Sequence, residues 1–386
     1  MRNFLISFQL PANTGFAIEP LEIAFFEAIS GLVTDTASVH LSYTGYPNGA
    51  PRWMEDKSVP LILMRYGLSE KNEETKLTEY IKSENIGYVF AFDMPVDAPV
   101  CRVLRSAGVE RIISYWGAPM SSLNSGPRLF AKQLQVALLR NKPDHFIFES
   151  YGMQKTATNG RGIRRRDTSV VRLGISVEGF SSHDDRSYVF QQFGIPENRR
   201  VFFYAGHMEA RKGVDVIVRA ATELVNVRKT SDVHFLFCGN REGEEGVFYP
   251  LYRDTRAADH ITFAGYRKDI PRILPGCYGG IIASTGWDSF PRTSLEMSAA
   301  GLPLLVSDLL GLNETVVDRV TGLLFPPGDH MELANRIEFL LNNPAIRNEY
   351  GENAQKRVKE DFSVEKQIQS LQEIVLSQIR NLEPLR

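Results

Sequence analysis

The chain has 386 residues, of which 43% are hydrophobic and 23% charged, values typical of a globular protein and unlike those of a disordered or fibrous one. This length favours two domains, and the formal net charge of -2 provides no whole-molecule field that would favour nucleic acid. Three widely spaced cysteines predict a reducing, cytoplasmic compartment and support neither a disulfide framework nor a zinc site.

Short apolar runs alternate with helical patterns along the first half of the chain. Residues 4–8, 38–43, 87–92 and 111–116 each read as a buried strand, and residues 18–30 read as an amphipathic helix. Such alternation predicts a mainly parallel sheet covered by helices on both faces.

A second series of the same kind begins near residue 200. Its predicted strands are residues 201–206, 233–239, 260–265, 278–284 and 302–307, with helices over 214–228 and 294–300. The polar stretch 181–200 predicts an exposed connection with a short helix and a domain boundary near residue 198.

The predicted fold is α/β, with two Rossmann-like doubly wound domains, residues 1–198 and 199–362, that face a central cleft. The last segment, residues 363–386, contains apolar residues at helical spacing, and we expect its helix to pack back toward the N-terminal domain. Open α/β sheets bind ligands at the carboxyl ends of their strands, so the cleft is the expected active site.

A basic loop, residues 206–213, follows the first strand of the second series. Gly213 allows the backbone to approach a ligand, and the helix that follows offers unpaired N–H groups and the positive end of its dipole. Arg211 and Lys212 add full positive charges. The loop therefore predicts a diphosphate site, with a solvated basic pair as the alternative.

Residues 286–316 form the second informative segment. Thr293 stands where a helix N-cap would stand, and Gly301 stands where that helix would end. This arrangement would aim Asp288 and Glu296 at one ligand. The alternative is a capping box, in which Glu296 satisfies backbone N–H groups at the helix start.

These ordered motifs resemble those of retaining glycosyltransferase family 4, the glycosyl transferases group 1, whose members have the GT-B fold. The resemblance covers about residues 201–375 and rests on the 206–213 loop, on Asp288 and Glu296 at the family's acid spacing, and on residues 311–329. It implies a retaining, metal-independent hexosyltransferase without a cofactor. Its donor would be a nucleotide diphosphate sugar and its acceptor an unidentified hydroxyl of a glycan or glycolipid, as in polysaccharide synthesis.

The resemblance also implies roles for individual residues. Asp288 would face the transferred sugar, Glu296 would bind the nucleotide ribose, and Lys212 would neutralise the diphosphate. The implied donor-binding residues are Gly15, His207, Arg211, Lys212, Phe290, Pro291, Thr293, Ser294, Glu296 and Gly311. The backbone of residues 290–294, together with Gly311, would contact the sugar and phosphates through N–H groups.

Four positions depart from the family pattern. Trp116, a candidate catalytic-site residue with Asp288, stands where many relatives have His. His207 stands where Arg is usual, Asp288 where Glu is usual, and only Gly15 remains of a glycine pair. Two alternatives to transfer stay open: a sugar-nucleotide epimerase of the same fold and a non-catalytic sugar-nucleotide-binding protein.

Three smaller signals have more than one interpretation. The basic cluster 160–166 suits either a solvated loop or contact with anionic lipid head groups or an acidic acceptor. The helical run 127–142 suits core packing or peripheral contact with the inner membrane surface. Residues 183–185, His-Asp-Asp, read as a solvated turn, and no metal site is predicted.

Overall fold

The computed structural model describes residues 2–15, 18–54, 59–68, 71–181 and 185–380. The strands are β1 (Asn3–Phe8), β2 (Val39–Tyr43), β3 (Leu61–Leu63), β4 (Ile86–Phe92), β5 (Arg111–Trp116), β6 (His145–Phe148), β7 (Thr168–Val170), β8 (Arg200–Ala205), β9 (Val233–Cys238), β10 (Ile261–Phe263), β11 (Cys277–Ile282), β12 (Leu304–Ser307) and β13 (Gly322–Phe325). The α-helices are α1 (Glu19–Ser30), α2 (Lys71–Ser83), α3 (Val100–Ala107), α4 (Gly126–Leu138), α5 (Tyr151–Thr156), α6 (Glu178–Ser181), α7 (Tyr188–Phe193), α8 (Val214–Thr222), α9 (Tyr249–Tyr252), α10 (Ile270–Ile273), α11 (Arg292–Ala299), α12 (His330–Asn342), α13 (Pro344–Asp361) and α14 (Val364–Arg380).

The first domain comprises residues 1–172 and 364–386. Its strands form a parallel sheet in the order β3-β2-β1-β4-β5-β6-β7. Aromatic packing holds α1 on this sheet, because the ring of Phe25 lies 4.8 Å from those of Phe90 and Tyr115. Helix α14 belongs to the same domain, and its Gln372 donates a hydrogen bond of 3.2 Å to the Ala28 carbonyl at the end of α1.

The second domain comprises residues 173–363. Its parallel sheet has the order β10-β9-β8-β11-β12-β13, so the strand order reverses between β8 and β11. Buried Phe202, Phe235 and Val214 belong to the core that joins this sheet to α8. The two doubly wound sheets confirm the predicted Rossmann-like α/β class, and the reversal marks where such a sheet binds ligands.

The domains divide at residues 172 and 173, so the boundary predicted near residue 198 is wrong. The stretch after residue 184 is not an exposed connection, because its helix α7 buries Val189 and the turn after it buries Ile195. Both side chains pack in one cluster with Val201 and Ile273 of the second domain. His183 and Asp184, read as a solvated turn, lie outside the described residues.

The sequence predicts neither a disulfide framework nor a zinc site at the three cysteines. Cys101, Cys238 and Cys277 are all buried free thiols. In the described part of the chain, no helix has both the length and the apolar composition needed to cross a membrane.

Candidate active site

The basic loop after β8 is bonded tightly to the loop after β11. Gly213 has a φ of +65°, and a Cβ at this position would collide with the Ala283 carbonyl oxygen. The Arg211 carbonyl accepts hydrogen bonds from the N–H groups of Thr285 (2.8 Å) and Gly286 (3.2 Å). The loop therefore requires glycine at position 213 to bring its basic residues beside the second loop.

Lys212 and Asp288 form an ion pair between these two loops. The Lys212 Nζ lies 2.8 Å from Asp288 Oδ2, and the Ser284 hydroxyl donates to the same oxygen at 2.8 Å. The lysine side chain is 16% exposed and the aspartate side chain 8%. Because β8 and β11 flank the reversal of strand order, the pair lies at the carboxyl edge where a ligand is expected.

Arg211 is held by partners within the same two loops. Its Nε lies 2.7 Å from the Glu209 carboxylate, and its Nη1 donates to the Trp287 carbonyl at 3.1 Å. The guanidinium also stacks over the Trp287 ring, 4.2 Å from the ring centroid. Arg211 therefore stabilises the segment that carries Asp288 and also places positive charge beside Lys212.

Helix α11 begins at Arg292, with Pro291 as its N-cap and no side-chain capping bond. The N-cap predicted at Thr293 is wrong, because Thr293 lies inside the first turn. The capping box is likewise absent, since the Glu296 carboxylate accepts a 3.0 Å bond from Arg292 Nε. Burial raises the pKa of Glu296, although Arg292 partly offsets this effect. The Glu296 carboxylate is therefore not used as a helix cap.

The remaining predicted residues of the second domain differ in what they can offer a ligand. The Phe290 side chain is buried against Phe362, with ring centroids 5.3 Å apart, and it offers no polar group to a ligand. Gly311 follows β12 with a φ of +92°, at the start of a short 3-10 turn. The His207 side chain is exposed, while its carbonyl accepts a 2.8 Å bond from Tyr204. Ser294 is buried and donates to the carbonyl of the N-cap residue at 2.6 Å.

Gly15 and Trp116 belong to the first domain. Gly15 is exposed after β1, with a φ of +131°. Trp116 ends β5 and packs beside Phe148 and Met153. Among the described residues, its buried Nε1 has no hydrogen-bond partner. Trp116 thus presents an indole N–H where a titrating imidazole was expected from the resemblance.

The sequence analysis missed two acidic residues beside Trp116. The Gly117 N–H donates to Asp93 Oδ1 at 3.1 Å, and a Cβ on Gly117 would lie 2.9 Å from Glu149 Oε1. Burial raises the pKa of Asp93 to about 6. Each carboxylate directly follows a strand, β4 or β6, and that position is the signal by which they could have been found.

Comparison with solved structures identifies the fold that contains the two doubly wound sheets. A glycosyltransferase from Rickettsia africae is 16% identical with a TM-score of 0.83, and the match covers 98% of this chain and 99% of that one. HepE of Anabaena, solved with UDP, is 19% identical with a TM-score of 0.76, covering 97% and 100%. The chain therefore has the GT-B fold.

A family match covers most of the second domain. Residues 185–357 match the model of the glycosyl transferases group 1. Over 214 residues it is 22% identical to the UDP-Gal:alpha-D-GlcNAc-diphosphoundecaprenol alpha-1,3-galactosyltransferase of Escherichia coli, covering 55% of each protein. The chain spans about half the length of the curated relatives it matches.

Proposed function

We propose that this protein is a glycosyltransferase that moves a hexose-like sugar from a nucleotide diphosphate sugar to an acceptor hydroxyl. The observation that carries the proposal is the contact between Lys212 and Asp288 at the carboxyl edge of the second sheet. Lys212 supplies the charge that a diphosphate needs, and Asp288 supplies a carboxylate that accepts hydrogen bonds from sugar hydroxyls. The two groups bind adjacent parts of one donor.

The donor makes its other contacts with neighbouring elements. The start of α8, directly after Gly213, offers N–H groups to the phosphates. Glu296 does not cap the start of α11, and its carboxylate accepts hydrogen bonds from the ribose hydroxyls. A uridine diphosphate donor is supported by HepE, a protein of the same fold that was solved with UDP.

Transfer proceeds with retention and needs no divalent metal, as in family 4. The bond between the anomeric carbon and the diphosphate oxygen breaks, and its electron pair stays on the diphosphate beside Lys212. The acceptor oxygen bonds to the anomeric carbon on the same face, and its proton passes to a diphosphate oxygen. Asp288 stabilises the positive charge that develops at the sugar, so the step requires no side-chain base.

The acceptor is a hydroxyl of a glycan or glycolipid. Support comes from the Escherichia coli relative, whose name describes transfer of galactose to a diphosphoundecaprenol-linked sugar. The acceptor contacts belong to the first domain, where Asp93 and Glu149 provide carboxylates at the strand ends.

A non-catalytic sugar-nucleotide-binding protein is the second candidate, and Trp116 is the observation that favours it. Its indole supplies no titrating group at the end of β5, in an apolar cluster with Phe148. A sugar-nucleotide epimerase is a third candidate, which nothing in the site favours specifically.

Release of nucleoside diphosphate from a panel of uridine, guanosine and adenosine diphosphate sugars tests the proposal. We expect release in the presence of acceptor glycans, loss of release in Asp288→Asn, and no effect of the exposed Lys356→Ala control. The anomeric coupling of the product tests retention, and activity in excess chelator tests metal independence. Binding of a donor without turnover on any acceptor would instead favour the non-catalytic protein, and interconversion of two donor sugars would favour the epimerase.

A further inference from the structure

Helix α4 presents its apolar side to solvent. Phe130, Leu134 and Leu138 are 67%, 51% and 72% exposed, whereas Val136 is buried. At about 100° per residue, Leu134 and Leu138 both point away from Val136. Helices on the surface of a globular protein normally bury their apolar stripe, so the orientation of α4 is reversed.

Close packing on the other side of α4 fixes this orientation. A Cβ on Gly162 would lie 2.5 Å from the backbone nitrogen of Gln133, so the following segment touches the helix backbone directly. The Arg161 guanidinium donates to the Gln135 side chain at 3.2 Å. Val136 packs in one cluster with Ile163 of the same segment. The apolar stripe cannot turn inward without breaking these contacts.

The charge along α4 and the loops on either side of it has a single sign. Residues 117–143 contain no Asp or Glu, but they contain Arg128, Lys132, Arg140 and Lys142. The exposed residues 164–166, all Arg, follow the segment that packs on α4, and Asp167 pairs with two of them, so this cluster keeps a net positive charge. An exposed apolar stripe beside basic residues complements the boundary between head groups and acyl chains of an anionic membrane.

We propose that α4 docks the first domain on an anionic membrane surface. Phe130, Leu134 and Leu138, here called the apolar stripe, enter the boundary between head groups and acyl chains, and the neighbouring Arg and Lys side chains contact lipid phosphates. The inference goes beyond the proposed transfer reaction and does not depend on it. Membrane docking would bring the enzyme to acceptors that are anchored in lipid.

Sedimentation of the purified full chain with vesicles tests the proposal. We expect binding to an equimolar mixture of phosphatidylglycerol and phosphatidylcholine, and at least about tenfold weaker binding to phosphatidylcholine alone. The double variant Phe130→Ser, Leu138→Ser should lose about tenfold or more in vesicle affinity. The matched control Val247→Ser removes an equally exposed apolar side chain of the second domain and should change nothing.

A double variant and a matched control test how much positive charge contributes to vesicle binding. Arg165→Gln with Arg166→Gln should weaken binding to the anionic vesicles and reduce its salt dependence, whereas Arg256→Gln should have no effect. Equal binding of the wild type and the stripe variant would overturn the proposal. A change from dimer to monomer in the stripe variant, with no vesicle binding by the wild type, would also overturn it and assign the stripe to a second copy. Donor binding by each variant, measured in parallel, reports separately on the transferase site and on folding.

Discussion

The Nζ of Lys212 lies 2.8 Å from the Oδ2 of Asp288, which joins the loop after β8 to the loop after β11. The two strands flank the reversal of strand order in the second sheet. The pair satisfies two largely buried charges. A donor can therefore enter only by offering each charge a comparable partner, a phosphate for the lysine and hydroxyls for the aspartate.

Asp288→Asn tests the role of the carboxylate in this ion pair. The amide still accepts hydrogen bonds from Ser284 and Lys212, but the Lys212 charge loses its counterion. We expect stability to fall by about 1–3 kcal/mol and transfer to fall by roughly 10²-fold or more, with donor binding largely retained. Urea unfolding and product formation measure the two effects. Transfer at the wild-type rate would exclude Asp288 from the chemistry.

Gly213→Ala tests the close approach of the two loops. The substitution combines a φ of +65° with a collision against the Ala283 carbonyl, whereas Gly243→Ala has a φ of +85° and open space around its Cβ. The Gly243 variant should therefore lose about 1–2 kcal/mol from backbone strain alone. The Gly213 variant should lose clearly more and should also bind the donor more weakly. Equal losses of stability in the two variants would show that the loops are not held together at this glycine.

Donor affinity should depend on pH through Glu296. In the proposed complex the ribose hydroxyls donate to its carboxylate, so affinity should fall as the pH falls through the Glu296 pKa. Because burial raises that pKa, the decline should begin above the value of about 4.3 of an ordinary Glu. Titration calorimetry across the acid range should show this decline in the wild type and in Glu352→Gln. Glu296→Gln should bind more weakly with a flat profile, and an unchanged decline in that variant would assign the titration elsewhere.

Asp93→Asn should stabilise the protein at neutral pH. The folded pKa of about 6 lies above the unfolded value of about 3.9, so the ionised carboxylate destabilises the fold as the pH rises between them. The uncharged amide of this variant avoids the destabilisation. It can still accept the hydrogen bond from the Gly117 N–H, and Asn tolerates the φ of +53° at residue 93. We expect a gain of about 1–3 kcal/mol above pH 7 and little change near pH 4.

Urea unfolding at the two pH values measures the gain, with the exposed Asp254→Asn as control. A gain of the same size at both values would mean that ionisation is not its cause.

Apolar periodicity predicted the architecture because long buried strands such as β5 and β9 leave a clear pattern. It missed β3, β6, β7 and β13, which are only three or four residues long. The domain boundary was misplaced because polar residues flank α7 on both sides, at 181–187 and 197–200, and resemble a linker. The helix itself buries Val189 and packs Phe190 and Phe193 against the same core.

Candidate residues that belong to a motif could be named from the sequence, whereas those without a motif were not named. Lys212, Asp288 and Glu296 stand at fixed spacings that the family pattern shares. The helix start was misplaced because Thr293 and Glu296 have the spacing of a capping box, while the chain enters the helix through Pro291. Asp93 has no motif of its own, and the signal that it leaves in the sequence is its position directly after the predicted strand β4.

Titration calorimetry of nucleoside diphosphates with the wild type, Lys212→Ala and Glu296→Ala tests the central claim that the second domain binds the donor. The Lys356→Ala variant removes a lysine of α13 and serves as the matched control. We predict binding of one nucleoside diphosphate by the wild type and the control, and losses of about tenfold or more in each site variant. Unchanged affinity in both Lys212→Ala and Glu296→Ala would contradict the placement of the donor site.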